Sequence, residues 1–152
     1  MSDGAATRTL TLEGARMKWS VSPDNTWLAA RTTADATMWT NMTLHFITVA
    51  DGVERFTQRL LSSPPSQERA NDAIYSVDIA AAATWSSDGP HAVFVSAHDG
   101  PSSDLYEFDS ATAHVLHLTD SPTQAALPQG SADGKWIVHI TVTAFGGGGW
   151  NV

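Results

Sequence analysis

Short apolar runs recur along the chain, each after a polar turn that contains an aspartate. In each copy a small residue precedes the aspartate, a Gly or Asn follows it, and the apolar run begins after a short gap. Such pairs tolerate the positive φ angles of tight hairpin turns, and short apolar runs beside them are typical of strands. The pattern predicts β-hairpin corners in three stretches: VSPDNTWLAA (21 to 30), WSSDGPHAVFVS (85 to 96) and GSADGKWIVHI (130 to 140).

The repeat extends beyond these corners. ITVADGVERFTQRLLSSPPSQ (47 to 67) parallels YEFDSATAHVLHLTDSPTQ (106 to 124), which aligns Leu61 with Leu118. The undisturbed copy is a unit of about 45 residues with four predicted strands, and this period and strand number are those of a propeller blade. The middle copy carries about a dozen additional residues, which we place within ERANDAIYSVDIAA (68 to 81).

The predicted fold class is all-β: a partial β-propeller of about three four-stranded antiparallel blades in a single domain over residues 1 to 152. Because a closed propeller needs at least four blades, the sequence indicates a fragment of a larger propeller. The alternative is a protomer that completes a ring with copies of itself. The blades are expected at about 17 to 62, 83 to 119 and 129 to 152, the last incomplete, with 7 to 13 forming a strand of a preceding blade.

The repeat resembles the TolB-like, WD-repeat-like β-propeller family. Blades of that family read Trp-Ser-Pro-Asp-Gly, an apolar strand, an Asp-Leu-Tyr type strand, then Leu-Thr. The second copy matches with WSSDG (85 to 89), DLY (104 to 106) and LT (118 to 119), whereas Asn25 replaces a glycine and Gly130 replaces the aromatic residue in the other copies. The resemblance implies a scaffold that binds other proteins, in a periplasmic or extracellular location.

Charge and composition exclude several classes of function. Sixteen acidic residues against eight Lys and Arg give a formal charge of −8, which repels a phosphate backbone and argues against nucleic-acid binding. The absence of cysteine excludes disulfides, thiolate catalysis and cysteine zinc sites. The N-terminal residues lack a signal-peptide pattern, and no run approaches the roughly 18 apolar residues of a membrane helix, so no membrane span is predicted; the compartment stays open.

Four groups of residues have side chains or backbone suited to chemistry, and none predicts a catalytic, cofactor or metal site. The glycine run 146 to 149 is interpreted as a loop between strands, because no helix or lysine follows it. His114 and His117 would point to opposite faces of a strand, so they cannot chelate together. His98 and Asp99 form the one pair with ligand chemistry, interpreted as solvated turn residues, and His139 is expected to be partly buried with a backbone partner.

The aromatic residues and the corner aspartates are assigned structural roles. Asp24, Asp88 and Asp133 are interpreted as caps of hairpin turns on separate blades rather than as a carboxylate set. Large rings fill the space between stacked sheets, and this role is predicted for four tryptophans: Trp19, Trp27, Trp85 and Trp136. Trp39 and Trp150 lie in less regular segments. For these two, the alternative to a packed ring between sheets is an exposed aromatic contact.

Together these features favour a non-enzymatic propeller scaffold that binds a protein or peptide. The alternative is the propeller, or gating, segment of a prolyl-oligopeptidase-like serine hydrolase whose catalytic domain is not in this chain. Open strand edges expose unpaired backbone groups, so self-association is also expected. The sequence gives no basis for choosing individual binding residues.

Overall fold

The computed structural model describes residues 9 to 14, 18 to 34, 41 to 61, 70 to 143 and 150 to 151. These residues form three antiparallel sheets, with strand orders β1-β2-β3-β4, β5-β6-β7-β8 and β11-β10-β9. The all-β partial propeller predicted from the repeat is confirmed. The strands are β1 Lys18–Val21, β2 Trp27–Thr33, β3 Met42–Thr48, β4 Glu54–Arg59, β5 Thr84–Trp85, β6 His91–Ser96, β7 Asp104–Asp109, β8 His114–His117, β9 Gln124–Gly130, β10 Ile137–Val142 and β11 Trp150–Asn151; the helix is α1 Ala70–Ile79.

The three predicted corners have the same backbone structure on three separate sheets. In each, an amide of the turn donates to the carbonyl of the serine that opens it: Asn25 to Ser22 at 2.9 Å, and Gly89 to Ser86 and Gly134 to Ser131, both at 3.0 Å. Asn25, Gly89 and Gly134 have positive φ values of 60°, 96° and 70°. These residue types tolerate that region, which is why the corners form where the Asp-Gly and Asp-Asn pairs lie.

Aromatic rings fill the space between the first and second sheets. Phe46 of β3 stacks on Phe108 of β7 with ring centroids 4.0 Å apart. Trp85 meets Phe46 edge-on at 5.9 Å, and Trp27 meets Phe108 in the same way at 5.6 Å. Edge-on and offset contacts are the favoured geometries of aromatic pairs. The structural role predicted for Trp27 and Trp85 is confirmed.

The same prediction is wrong for Trp19 and Trp136, whose side chains are each 70% exposed. Trp19 lies on β1, at the edge of the first sheet, and pairs only with β2 through Ala30. Trp136 directly precedes β10, whose first residues, Ile137 and Val138, are also exposed. The spacing of apolar residues locates a strand, but burial depends on whether another layer covers the face.

In the sequence, α1 lies between the last strand of the first sheet and the first strand of the second. This is the segment where additional residues were predicted. Ala73 and Val77 are buried, and the helix contacts β6 and β9. Its last turn has no basic residue, and Arg31 of β2 supplies the positive charge instead. The Arg31 guanidinium, 4% exposed, donates to the carbonyls of Val77 and Asp78 and pairs with the Asp78 carboxylate at 3.2 Å. Cations at a helix C-terminus satisfy free carbonyls and oppose the helix dipole.

Several expected segments differ from the structure or lie outside its described residues. Residues 9 to 14 form no strand, and the third sheet begins at Gln124 rather than near 129. Gln124 pairs with Val142, which places the start of the third sheet at that residue. Trp39, the glycine run 146 to 149 and the Trp150 side chain lie outside the described residues. Within the described ranges, no helix has the length and apolar character needed to cross a membrane.

Candidate binding site at the blade corners

A cavity of about 250 Å³ opens between the second and third sheets at the end where the corners lie. Both sheets contribute to its walls, so its shape depends on how the sheets pack and not on one loop. The second sheet supplies Thr84, Trp85, Ser86, Asp88, His91, Val93 and Glu107, and the third supplies Gly130, Ser131, Gly134, Trp136 and Ile137. This space is called the corner cavity below.

The cavity exists because Gly130 occupies the position that Trp85 occupies in the second sheet, directly before the serine that opens the corner. Trp85 fills the space between the first two sheets, where its ring packs on Phe46 and its indole nitrogen donates to the Ser20 hydroxyl at 3.2 Å. Gly130 has no side chain to fill the corresponding space between the next two sheets. A Cβ built on Gly130 would lie 3.9 Å from the Trp85 carbonyl oxygen, an ordinary contact.

Corner spacing also differs between the two gaps. A Cβ built on Gly89 would lie 3.0 Å from the carboxyl carbon of Asp24, so the first and second corners are in contact. Among the described residues, a Cβ built on Gly134 would find the Ser87 hydroxyl alone within 4 Å, at 3.6 Å. The second and third corners are therefore in looser contact than the first and second.

The aspartates of the first and third corners are held within their own turns. Asp24 accepts from the Thr26 amide at 3.1 Å, and Asp133 accepts from the Lys135 amide at 3.2 Å. The serine of each corner also donates its hydroxyl, at 2.5 Å to Asp24 and 2.6 Å to Asp133. The pKa of each aspartate lies below its ordinary value, mainly because of the hydrogen bond from the serine hydroxyl.

Asp88 differs because Pro90 occupies the position of Thr26 and Lys135, and proline has no N–H to donate. Among the described residues the exposed Asp88 carboxylate has no hydrogen bond or ion pair. It lines the corner cavity instead. The interpretation of the three aspartates as equivalent corner residues holds for the backbone, but the side chain of Asp88 is available to a ligand.

The remaining charges make the cavity acidic. Glu107 of β7 lies with its carboxylate 3.2 Å from Nδ1 of His91, and the two side chains are 26% and 41% exposed. No Lys or Arg lines the cavity among the described residues. Two carboxylates thus face one imidazole, and the local field attracts cations.

The pair His98 and Asp99 belongs to a separate cluster around Tyr106. The Tyr106 hydroxyl donates to Asp99 at 2.6 Å, while His98 contacts the Ser96 hydroxyl at 3.0 Å. The His117 ring stacks on Tyr106 at 4.4 Å. Burial, and then the bond to Asp99, raises the pKa of Tyr106 well above its ordinary value. Within the described residues, no three His, Asp or Glu side chains form a group that could hold a metal ion.

His114 and His139, the other two histidines noted in the sequence, lie outside this cluster. His114 lies at the far end of β8 opposite Asp109, whereas His117 pairs with Tyr106. His139 is half-buried, as predicted, but the described residues give its ring no hydrogen bond with the backbone.

A third constellation, which the sequence did not reveal, joins three strands on the outer face of the first sheet. The Thr32 hydroxyl lies 3.0 Å from Nε2 of His45, and Nδ1 of His45 lies 2.5 Å from the Glu54 carboxylate. This is the order of groups in a hydroxyl-imidazole-carboxylate triad. Thr32 is only 5% exposed, and a Cβ on Gly14 would lie 2.8 Å from its Cβ, so the preceding segment covers the hydroxyl. The contacts are those of a cross-strand network that is covered at Thr32 and open to solvent at Glu54, which is 44% exposed.

A wider hollow of about 600 Å³ adjoins this network. Its walls include Glu13, Asn41 and Arg59. The corner cavity is the better-defined candidate, because described residues enclose it from two sheets.

The comparisons with known proteins agree with this architecture. A TolB protein of Agrobacterium tumefaciens superposes with a TM-score of 0.57 at 18% identity, covering 88% of this chain and 42% of that one. TolB of Acinetobacter baumannii gives 0.53 at 15%, covering 90% and 31%. A prolyl endopeptidase structure gives 0.51 at 14%, covering 84% and 18%. No protein-family model and no curated protein sequence matches the chain.

The fold is thus that of a β-propeller built from antiparallel four-stranded sheets. More narrowly, it is a TolB-like propeller, as the repeat motif predicted. The chain spans less than half the length of either TolB structure.

Proposed function

We propose that this chain is part of a non-enzymatic β-propeller scaffold that binds a peptide or protein partner in the corner cavity. The observation that carries the proposal is the pairing of Gly130, which opens the space between two sheets, with Asp88, whose carboxylate has no partner among the described residues. Concave sites with apolar walls and a few directed polar groups are the usual form of a binding site.

The rest of the described chain supports binding rather than catalysis. The hydroxyl of Ser96 lies beside an imidazole but is fully buried and also lies 3.2 Å from the Leu60 carbonyl, to which it donates. The Thr32 hydroxyl is covered in a similar way. A nucleophile must reach its substrate, so neither hydroxyl is placed to act as one.

Peptide selection on the 152-residue chain tests this proposal. Peptides enriched from a random display library are expected to bind the native chain and to lose about tenfold or more in affinity on Gly130→Trp, which fills the cavity. Gly130→Ala is the matched control, since its Cβ makes only an ordinary contact. Enrichment of peptides that bind all three proteins equally, or no enrichment, would contradict the proposal.

A second candidate function is the propeller segment of a prolyl-oligopeptidase-like serine hydrolase. The likeness to the prolyl endopeptidase fold favours it. Sequencing the gene on both sides of this segment separates the two: a G-x-S-x-G motif followed by Asp and His would indicate the hydrolase, and further blades alone would indicate the scaffold.

We also propose that the chain self-associates through the uncovered part of the third sheet. Trp136 has the same corner hydrogen bonds as Trp27, with its amide 3.0 Å from the Ser131 hydroxyl. Trp27 packs on the next sheet, whereas Val138, two residues after Trp136, is 54% exposed and does not line the corner cavity. An apolar face in this position is suited to contact with another sheet.

A further inference from the structure

We propose that the corner cavity receives a guanidinium group, so that the partner presents an arginine side chain to it. This inference rests on the proposed binding function and adds the chemistry of the group that is bound. It depends on three features of the cavity: an unpartnered carboxylate, a second carboxylate within the walls, and an accessible indole at the rim.

The first feature is the carboxylate of Asp88. Pro90 withholds the backbone donor that the other two corners use, and no described residue donates to Asp88, so its oxygens can accept from a ligand. A carboxylate accepts two parallel N–H bonds from a guanidinium, which is stronger and more directional than one bond from an ammonium group. This geometry favours arginine over lysine.

The second feature is a further carboxylate, that of Glu107, which also lines the cavity from the second sheet. Glu107 is 26% exposed, with its carboxylate 3.2 Å from Nδ1 of His91, and no Lys or Arg among the described residues lines the space. Asp88, His91 and Glu107 do not form a group that could hold a metal ion. An acidic space without Lys or Arg in its walls suits an organic cation.

The third feature is Trp136, which lines the cavity and is 70% exposed. Indole is the best aromatic partner for a cation, and a planar guanidinium can stack on it. The position after the corner holds a histidine in the second sheet and a tryptophan in the third. The cavity thus combines hydrogen-bond acceptors with an aromatic surface, as recognition of arginine requires.

NMR titration of the isotope-labelled 152-residue chain tests the inference with two tripeptides. One is acetyl-Ala-Arg-Ala-amide; the other replaces arginine by citrulline, which has nearly the same shape without the charge. The arginine peptide is expected to shift the amide signals of residues 86 to 91 and 130 to 136, together with the Trp136 indole, and to bind about tenfold more tightly than the citrulline peptide.

Two variants separate a local contact from a general effect of charge. Asp88→Asn is expected to weaken binding of the arginine peptide about fivefold or more, because it removes the free carboxylate. Asp133→Asn changes the net charge equally, but its carboxylate is engaged in its own corner, so affinity should stay within about twofold.

Three results would overturn the inference: equal binding of the two tripeptides, equal weakening by both variants, or no shift at the cavity with the arginine peptide. The first two would leave the proposed binding function intact, because it is tested separately by peptide selection against Gly130→Trp. If the peptide selection failed but the arginine tripeptide still bound at Asp88, the cavity would bind single cationic groups only. That result would contradict the proposed binding of a peptide or protein partner.

Discussion

Gly89 shows how a single residue fixes the contact between two corners. Its φ of 96° lies in a region that residues with a side chain rarely adopt. The space a side chain would need is also occupied, since a built Cβ lies 3.0 to 3.4 Å from atoms of the Asp24 carboxyl group. Backbone conformation and packing between the first two sheets both require glycine here.

Gly89→Ala is therefore expected to lower the free energy of unfolding by about 2 kcal/mol, from backbone strain together with the displaced carboxyl group. Urea unfolding followed by tryptophan fluorescence measures the change. Gly130→Ala is the matched control, because its φ is not positive and its Cβ makes an ordinary contact. Equal effects of the two substitutions would show that the corner contact is not what constrains Gly89.

At the level of elements, α1 depends on a residue from a strand. The helix has no basic residue in its last turn, and Arg31 of β2 and Lys18 of β1 donate to its terminal carbonyls. Burial lowers the pKa of Arg31 from its ordinary value, and the Asp78 carboxylate opposes this change. The buried ion pair ties the inserted helix to the first sheet.

Arg31→Met is expected to lower the free energy of unfolding by about 3 kcal/mol, because it removes the Arg31 donors to the Asp78 carboxylate and the Val77 carbonyl. The same urea unfolding experiment measures it. Arg55→Met removes a pair with Asp51 in which both side chains are 45% exposed, and it should cost no more than about 1 kcal/mol. An Arg31 variant as stable as the Arg55 variant would contradict this role.

At the scale of the whole molecule, the facing surfaces of the first and second sheets are packed together, whereas part of the third sheet is exposed. Phe46, Phe94 and Phe108 are fully buried or nearly so between the first and second sheets. On the third sheet, Trp136 and Val138 remain largely exposed although Trp136 has the corner hydrogen bonds of Trp27. The repeated units therefore have similar backbones but different neighbours.

Sedimentation equilibrium over a wide range of protein concentration tests self-association through this face. The native chain is expected to self-associate, and Val138→Asp to shift the equilibrium toward monomer by about tenfold, since a carboxylate would have to be buried at the contact. Leu116→Asp, on the exposed strand β8 of the second sheet, is the control and should have little effect. A native chain that stays monomeric at all concentrations would contradict the proposal.

The order of corners and strands could be predicted from the sequence, since it depends on local rules. A turn with Asp24 and Asn25 or with Asp88 and Gly89 forms wherever a positive φ is needed between two apolar runs. The location of the inserted segment also followed from the repeat. That this segment is a helix did not, because its C-terminus is stabilised by Arg31, far away along the chain.

The candidate site depended on tertiary structure. Two sequence signals were present, Pro90 in the second corner and Gly130 in place of an aromatic residue, but a missing donor and a missing side chain have no meaning until the neighbouring sheet is known. The sequence by itself determined which residues form strands and turns, because those preferences are local. Packing of the sheets decided which tryptophans are buried and where the cavity opens, because burial and enclosure depend on residues distant in the chain.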